Sequence, residues 1–526
     1  MKHLKQLAQF SLSQSIEIQK YMLLTLEEIS QVYNDVDIFY LAGLYSANFG
    51  MFDKSIFYYK KCLEISPYDK NALFDLGAIH IHLGKWVEGI EYGEKLYSID
   101  KEFKAITQHL ANSYSQIGMF AKASEYFKES LEINPNNLQL WSDYFLSLNY
   151  TNISIDERKT LQSAIHKTQL QNKVFPKLNR KNKIHIGYVS SDFKNHAVTY
   201  FYKGLITHHN KDKFEVYFYS TNLFEDAITQ GFKNNGNFKC IDDSETLYHT
   251  IKQDDIDILV DLNGYTRGNK LDVFIHNPSP IQVSWIGFLN SMYLSSIQYK
   301  ITDINLIDES IKDYYTESLI TLNNCLFYDP PNDCPHISPS PYEINGYLTF
   351  GFFNNFRKLS DDVLDTWVSI LLSHNNCKFV MMKSDFQEQI KYVISYLNKR
   401  GFHNIEVLNN VDIREFMECI GSVDICLDPF SHVGGVTTAH SLWMGVPVLT
   451  VEGNLESERI SSALLKNVGL DSFIAKSKDE YIRKGIEIPT HKLKDIRNNI
   501  RNTFPKREDV LNELEIAFTT IYNEHL

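Results

Sequence analysis

Hydrophobic positions along this chain follow two periods. Over roughly the first 150 residues they recur at helical spacing, and the helices they predict repeat every 34 residues. Gly50, Gly84 and Gly118 mark the period, and Pro67 and Pro135 lie two periods apart, with Lys101 at the position between them. Ala42-Gly43, Leu76-Gly77 and Leu110-Ala111 fall at matching places, as do Tyr59, Gly93 and Phe127. A partial fourth copy begins near Leu138 and includes Trp141. After Lys183 the pattern changes, and short apolar runs alternate with helix-period stretches. Strands are predicted at 184–190, 214–220 and 256–262, with a buried strand around Trp285. A second series follows at 347–353, 378–382, 405–408, 425–427 and 446–451, with helices at 361–372 and 386–399 among them.

Small residues where paired helices touch, a glycine in the turn and a proline after the second helix form the tetratricopeptide pattern. Stacked pairs bury a continuous core and present a curved surface. That surface reads as a groove for an acceptor protein or partner chain, or as a structural cap or dimer contact, so a homo-oligomer stays open. Strands alternating with helices give parallel sheets of βαβ units. A Pro/Asn-rich stretch at 329–343 splits them into two doubly wound lobes. The expected fold class is therefore α plus α/β. Residues 1–155 are read as the repeat domain and 156–183 as a linker helix with a basic tail (Lys177, Arg180, Lys181, Lys183). Residues 184–340 form one Rossmann-like lobe and 341–526 a second. The helix after Phe504 is expected to pack across the lobes.

Composition adds exclusions. The 526 residues carry a net charge of −13, which argues against a general nucleic-acid binder. Seven cysteines show no metal or disulfide spacing and suit a reducing, cytoplasmic setting. No stretch approaches the ~20 apolar residues of a membrane span, and the N-terminus lacks the apolar core of a secretory signal.

Four clusters at strand ends carry candidate chemistry. His196 follows the first strand, where a histidine can act as a base or a hydrogen-bond donor. Asn263, Gly264, Tyr265 and Arg267 crowd the turn after the third. Lys358 lies between a strand and a helix opening at Ser360 or Asp361, where a lysine can neutralise a diphosphate. Gly434, Gly435, Thr437 and Thr438 open another helix; glycines, hydroxyls and free N–H groups there make an anion site. Ligands of doubly wound folds bind beyond the carboxyl ends of the strands. One lobe then suits a nucleotide diphosphate, and the other suits a sugar or acceptor. Asp254, Asp255 and Asp257 look like an acidic metal motif, but they precede a strand and read as a solvated turn. No metal or cofactor is expected beyond a nucleotide-sugar co-substrate.

The ordered motifs GYVSSDFKNH, DLNGYTRGN, PIQVSWIGF, YKITD, FNNFRK and DICLDPF…GGVTTAHSLWMGVPVLT resemble the O-GlcNAc transferase and SPINDLY-like family, in its bacterial form. The resemblance covers roughly residues 37–465. It implies a GT-B arrangement and inverting, metal-independent transfer from a nucleotide sugar, expected to be UDP-linked, to protein serine or threonine. It implies that His196 is the active-site histidine and that Lys358 contacts the donor diphosphate. Thr437, beside Val436 and Thr438, matches a phosphate-binding threonine, and Asn355 matches a donor-contacting amide. Two positions depart from the family. His440 stands where an acidic residue contacts ribose, and Phe416 where a histidine meets the uracil. The alternatives are a non-catalytic repeat scaffold with a degenerate nucleotide-sugar cleft, or a transferase that modifies a glycan.

Overall fold

The 34-residue period folds as helix pairs: Val36–Asn48 with Phe52–Ile65, Lys70–His82 with Trp86–Ile99, and Ile106–Gln116 with Phe120–Ile133. Leu138–Leu148 begins a fourth pair, and helices Lys2–Ser11 and Ile16–Ser30 precede the first. The computed structural model describes every residue but 1, 152, 169, 171–173, 384–386 and 431. Each pair turns at Gly50, Gly84 or Gly118, whose φ values of 69°, 71° and 81° lie in the left-handed region. A side chain there costs about 1–2 kcal/mol. Within the first pair a Cβ on Gly43 would come within 2.7 Å of the Tyr59 ring, which explains the small residue at that position. These helices form one unit, residues 1–148, and residues 149–526 form a second. Helix Ile155–Ile165, read from the sequence as the linker helix, belongs to the second unit.

The second unit holds two parallel sheets. The first contains β1 (Ile184–Ser190), β2 (Phe214–Ser220), β3 (Asn237–Cys240), β4 (Ile258–Asp261), β5 (Ile281–Trp285), β6 (Tyr299–Asp303) and β7 (Ser318–Leu322). Their order is β3-β2-β1-β4-β5-β6-β7. The second contains β8 (Thr349–Phe352), β9 (Lys378–Met382), β10 (Ile405–Leu408), β11 (Ile425–Leu427), β12 (Val448–Val451) and β13 (Ile474–Ala475), ordered β10-β9-β8-β11-β12-β13. Strands β4, β5, β8 and β11 are buried along their whole length, as strands covered on both faces must be. The α plus α/β class with two Rossmann-like sheets, expected from the sequence, is the observed fold. The helix expected at 386–399 is present as Gln387–Lys399; Phe386 lies outside the described residues.

Two features join the lobes. Glu456, at the start of helix Glu456–Asn467 in the second lobe, reaches the first. It pairs with Lys300 at 3.3 Å, accepts the Asn290 N–H at 2.8 Å and accepts the Thr302 hydroxyl. Both charged side chains are 1% exposed. The last helix, Arg507–Glu524, returns from the second lobe to the first. There Glu515 accepts from the His209 ring at 3.2 Å and the Asn210 N–H at 2.7 Å.

Candidate active site

In the second lobe the site begins with a carboxylate. Asp428 follows β11 and is buried. One oxygen accepts the Gly434 N–H at 2.8 Å and the other the Thr450 hydroxyl at 2.9 Å, which folds the loop back towards β11. Burial pushes its carboxyl up to about 6. The bend leaves no room for a side chain at Gly434. A Cβ there would overlap Thr438 Oγ1 and lie 3.1 Å from Asp428 Oδ1 and 3.2 Å from Thr437 Oγ1. Helix Val436–Trp443 then opens at Gly435 with no side-chain cap, so its first N–H groups point outward. Thr438 is buried and bonds to Ser461 at 2.8 Å, while Thr437 and Val436 are half-buried.

Lys358 comes to the same loop from β8. It ends a short 3-10 turn, Phe356–Lys358, that Asn355 caps by accepting the Arg357 N–H at 2.9 Å. Its ammonium donates to the Val433 carbonyl at 3.0 Å. Burial outweighs the nearby Asp428 charge and brings the lysine down to about 8. A cation, a glycine cradle and an uncapped helix start therefore converge, the donor set a diphosphate needs.

Beside this recess lies an aromatic group. The His440 ring meets the Tyr328 hydroxyl at 2.6 Å and packs edge-on against Tyr200, Tyr328 and Phe416 at 5.2, 5.6 and 6.0 Å. Burial lowers His440 to about 3, so the imidazole is neutral.

In the first lobe the loops after β1 and β4 are tied together. Asp261 accepts the Asn263 and Gly264 N–H groups at 3.1 and 2.8 Å and shapes the turn. Asn263 accepts the Ser191 N–H at 2.8 Å and donates to Asp192 at 3.1 Å. The Asp192 carboxylate lies 3.6 Å from Nδ1 of His196, whose side chain is 48% exposed. Tyr265 is buried and donates to the Met292 carbonyl. The Arg267 side chain is exposed, and its carbonyl accepts the Ser191 hydroxyl at 3.2 Å. Asn263 and Tyr265 thus brace the loops internally, whereas His196 and Arg267 face outward. Tyr200 connects the two walls: its hydroxyl donates to Asn195 at 3.0 Å while its ring packs on His440. Tyr200 lies on helix Thr199–Ile206, and a Cβ on Gly435 would lie 4.0 Å from the ring of Phe201 on that helix.

The profile of glycosyl transferase family 41 matches residues 147–340 and 336–510. The chain belongs to glycosyl transferase family 41. Tetratricopeptide-repeat profiles match residues 36–69 and 108–137. A probable UDP-N-acetylglucosamine–peptide N-acetylglucosaminyltransferase SPINDLY of Solanum lycopersicum is 30% identical over 72% of this chain and 43% of its own length. The Arabidopsis thaliana SPINDLY protein is 32% identical over 68% of this chain and 41% of its own. This family-41 chain therefore spans less than half the length of these curated relatives. A mutant of Thermobaculum terrenum O-GlcNAc transferase has the same fold, with a TM-score of 0.76 at 23% identity over 93% of this chain and 98% of that one. Among the described residues no helix is long and apolar enough to cross a membrane.

Three residues of this family-41 chain's candidate site have no role assigned from the sequence. Asp428 stands at a strand end, a signal that could have found it. His432 stacks on Tyr150 with ring centroids 4.5 Å apart, and burial carries it well below the usual histidine range. Asn354, beside the Asn355 chosen from the sequence, lines the recess at Asp428 and Thr437. Only neighbours in space mark the last two. The acidic run is the solvated turn expected only in part: residues 254 and 255 form a turn. Asp255 is exposed, but Asp257 is buried, pairs with Lys181 at 2.9 Å and accepts the His185 N–H at 2.9 Å. Asp254 pairs with Lys239 at 2.6 Å. Among the described residues no group of three His, Cys, Asp or Glu side chains is placed to hold a metal ion.

Proposed function

We propose that this chain is an inverting, metal-independent glycosyltransferase that moves a sugar from a nucleotide diphosphate sugar to serine or threonine of an acceptor protein. The observation that carries the reading is the meeting of the Lys358 ammonium with the Gly434–Thr437 loop and an uncapped helix start. These groups supply positive charge where a leaving diphosphate becomes more anionic, the role a metal fills in other sites. The acceptor hydroxyl oxygen bonds to the anomeric carbon from the face opposite the diphosphate as the sugar–phosphate C–O bond breaks; the bonding pair leaves on the nucleoside diphosphate, and the hydroxyl proton passes to solvent. His196, oriented by Asp192, contacts the reactants from the facing lobe. The names of the plant relatives make UDP-N-acetylglucosamine the donor to test first. The repeat groove is proposed to hold the acceptor, and the cytoplasm is the proposed setting.

The test is a panel of nucleotide sugars scored for thermal stabilisation, since a ligand of the folded state raises its melting temperature. Any donor found is then incubated with candidate proteins and intact masses are measured. A mass gain of one sugar supports the reading. A stabilising nucleotide sugar with neither transfer nor hydrolysis would favour a nucleotide-sugar-sensing scaffold, for which the neutral, buried His440 is the supporting observation.

A further inference from the structure

The Asn354 side chain holds an unused hydrogen-bond donor. Its Oδ1 accepts the Asn355 N–H at 2.8 Å. That bond fixes the orientation of the amide, because a flipped group would set donor against donor. Nδ2 then points the other way, is buried, and has no hydrogen-bond partner. The residue lines a small recess with Phe353, Asp428, Thr437, Thr438 and Ser441.

Three of its polar neighbours are already engaged. Asp428 accepts from Gly434 and Thr450, and Ser441 donates to the Thr437 carbonyl at 2.8 Å. Thr438 bonds to Ser461. Leaving a buried amide donor unmet is costly, and native proteins rarely do so without a reason. Around this recess the groups left open can all donate: Asn354 Nδ2, the Thr437 hydroxyl and the first N–H groups of helix Val436–Trp443, with the Lys358 ammonium at the adjoining carbonyl. A ligand that satisfies them must present acceptors, as phosphate oxygens do.

We infer that Asn354 is a further donor-binding residue, whose Nδ2 hydrogen-bonds a phosphate oxygen of a nucleoside diphosphate; this rests on the reading of the recess as a nucleotide-sugar site. Asn354, rather than the exposed Asn355, then supplies the amide of this loop to the ligand. A neutral donor also suits its place. It adds a hydrogen bond to the phosphate without a second cation competing with Lys358 for Asp428.

The test is calorimetric titration of the full chain with UDP and with GDP, for the unaltered protein, Asn354→Ala and Asn354→Asp. Asn354→Ala should bind the better nucleotide about tenfold more weakly, with an unliganded melting temperature no lower than that of the unaltered protein. Asn354→Asp keeps the Oδ1 acceptor but sets a second carboxylate beside Asp428, and should lose about a hundredfold. Binding by Asn354→Ala within twofold of the unaltered protein overturns the assignment alone. So does a fall in its unliganded melting temperature large enough to account for the lost affinity. Failure of the unaltered protein to bind either nucleotide overturns the nucleotide-sugar reading, and the assignment with it.

Discussion

A lysine taken out of water gives up its proton more readily, and a buried carboxyl holds its proton more tightly. Lys358, at about 8, and Asp428, at about 6, show both effects across one loop. The ammonium is full below its pKa and lost as pH rises through it. The Asp428 carboxylate is full above its pKa, and as pH falls its protonation weakens the hold on the Gly434 N–H. UDP affinity should therefore peak between pH 6 and 8. Titration calorimetry from pH 5.5 to 9.5 would show this, and a flat alkaline limb would contradict it. In Lys358→Arg that limb should move upward, because a guanidinium keeps its proton. Gly434→Ala probes the cradle itself. Gly434 does not lie in the left-handed region, so a methyl group strains no backbone there, but it fills the space between Asp428 and Thr437. The methyl group must also displace the buried Thr438 hydroxyl from Ser461, so UDP affinity should fall at least about tenfold and the melting temperature should fall with it. At this scale the sequence singles out loops but not which of their side chains are engaged within the lobe. Asn263 and Tyr265 look like ligand contacts because they crowd a strand-end turn, yet their polar groups are spent inside the lobe. Only the packed loop distinguishes them from Asn354.

At the scale of elements, legibility followed a continuous β-rich run more than burial. Strands β1, β2 and β9 were bounded from sequence because each is a continuous β-rich run. Strand β3 was missed: its four residues are exposed or half-buried, and an edge strand needs no apolar run. Strand β6 was disguised by Lys300, which looks like a surface residue and is instead paired with Glu456. The repeats were legible because their glycines answer a backbone requirement. Gly118→Ala, at φ 81°, should lower the stability of the repeat unit by about 1–2 kcal/mol. Urea unfolding followed by circular dichroism measures that loss, and an unchanged midpoint would show that the turn relaxes.

For the molecule as a whole, two sheets must face one another with their loops in register, and the Lys300–Glu456 pair helps to fix them. Removing one member leaves a buried charge unmatched, so Lys300→Met should destabilise residues 149–526 by about 3–5 kcal/mol. The double change Lys300→Met with Glu456→Gln, which removes the second charge but keeps an acceptor for the Asn290 N–H, should recover much of that, as a double-mutant cycle would show. The central claim is that the Lys358 loop of this family-41 chain stabilises a departing nucleoside diphosphate. Its most direct test is transfer of labelled sugar from a nucleotide sugar, compared between the unaltered chain and Lys358→Ala, with folding checked by circular dichroism. The account predicts that the variant folds and loses transfer by at least about a hundredfold; a folded Lys358→Ala protein that transfers sugar at a near-normal rate would contradict it.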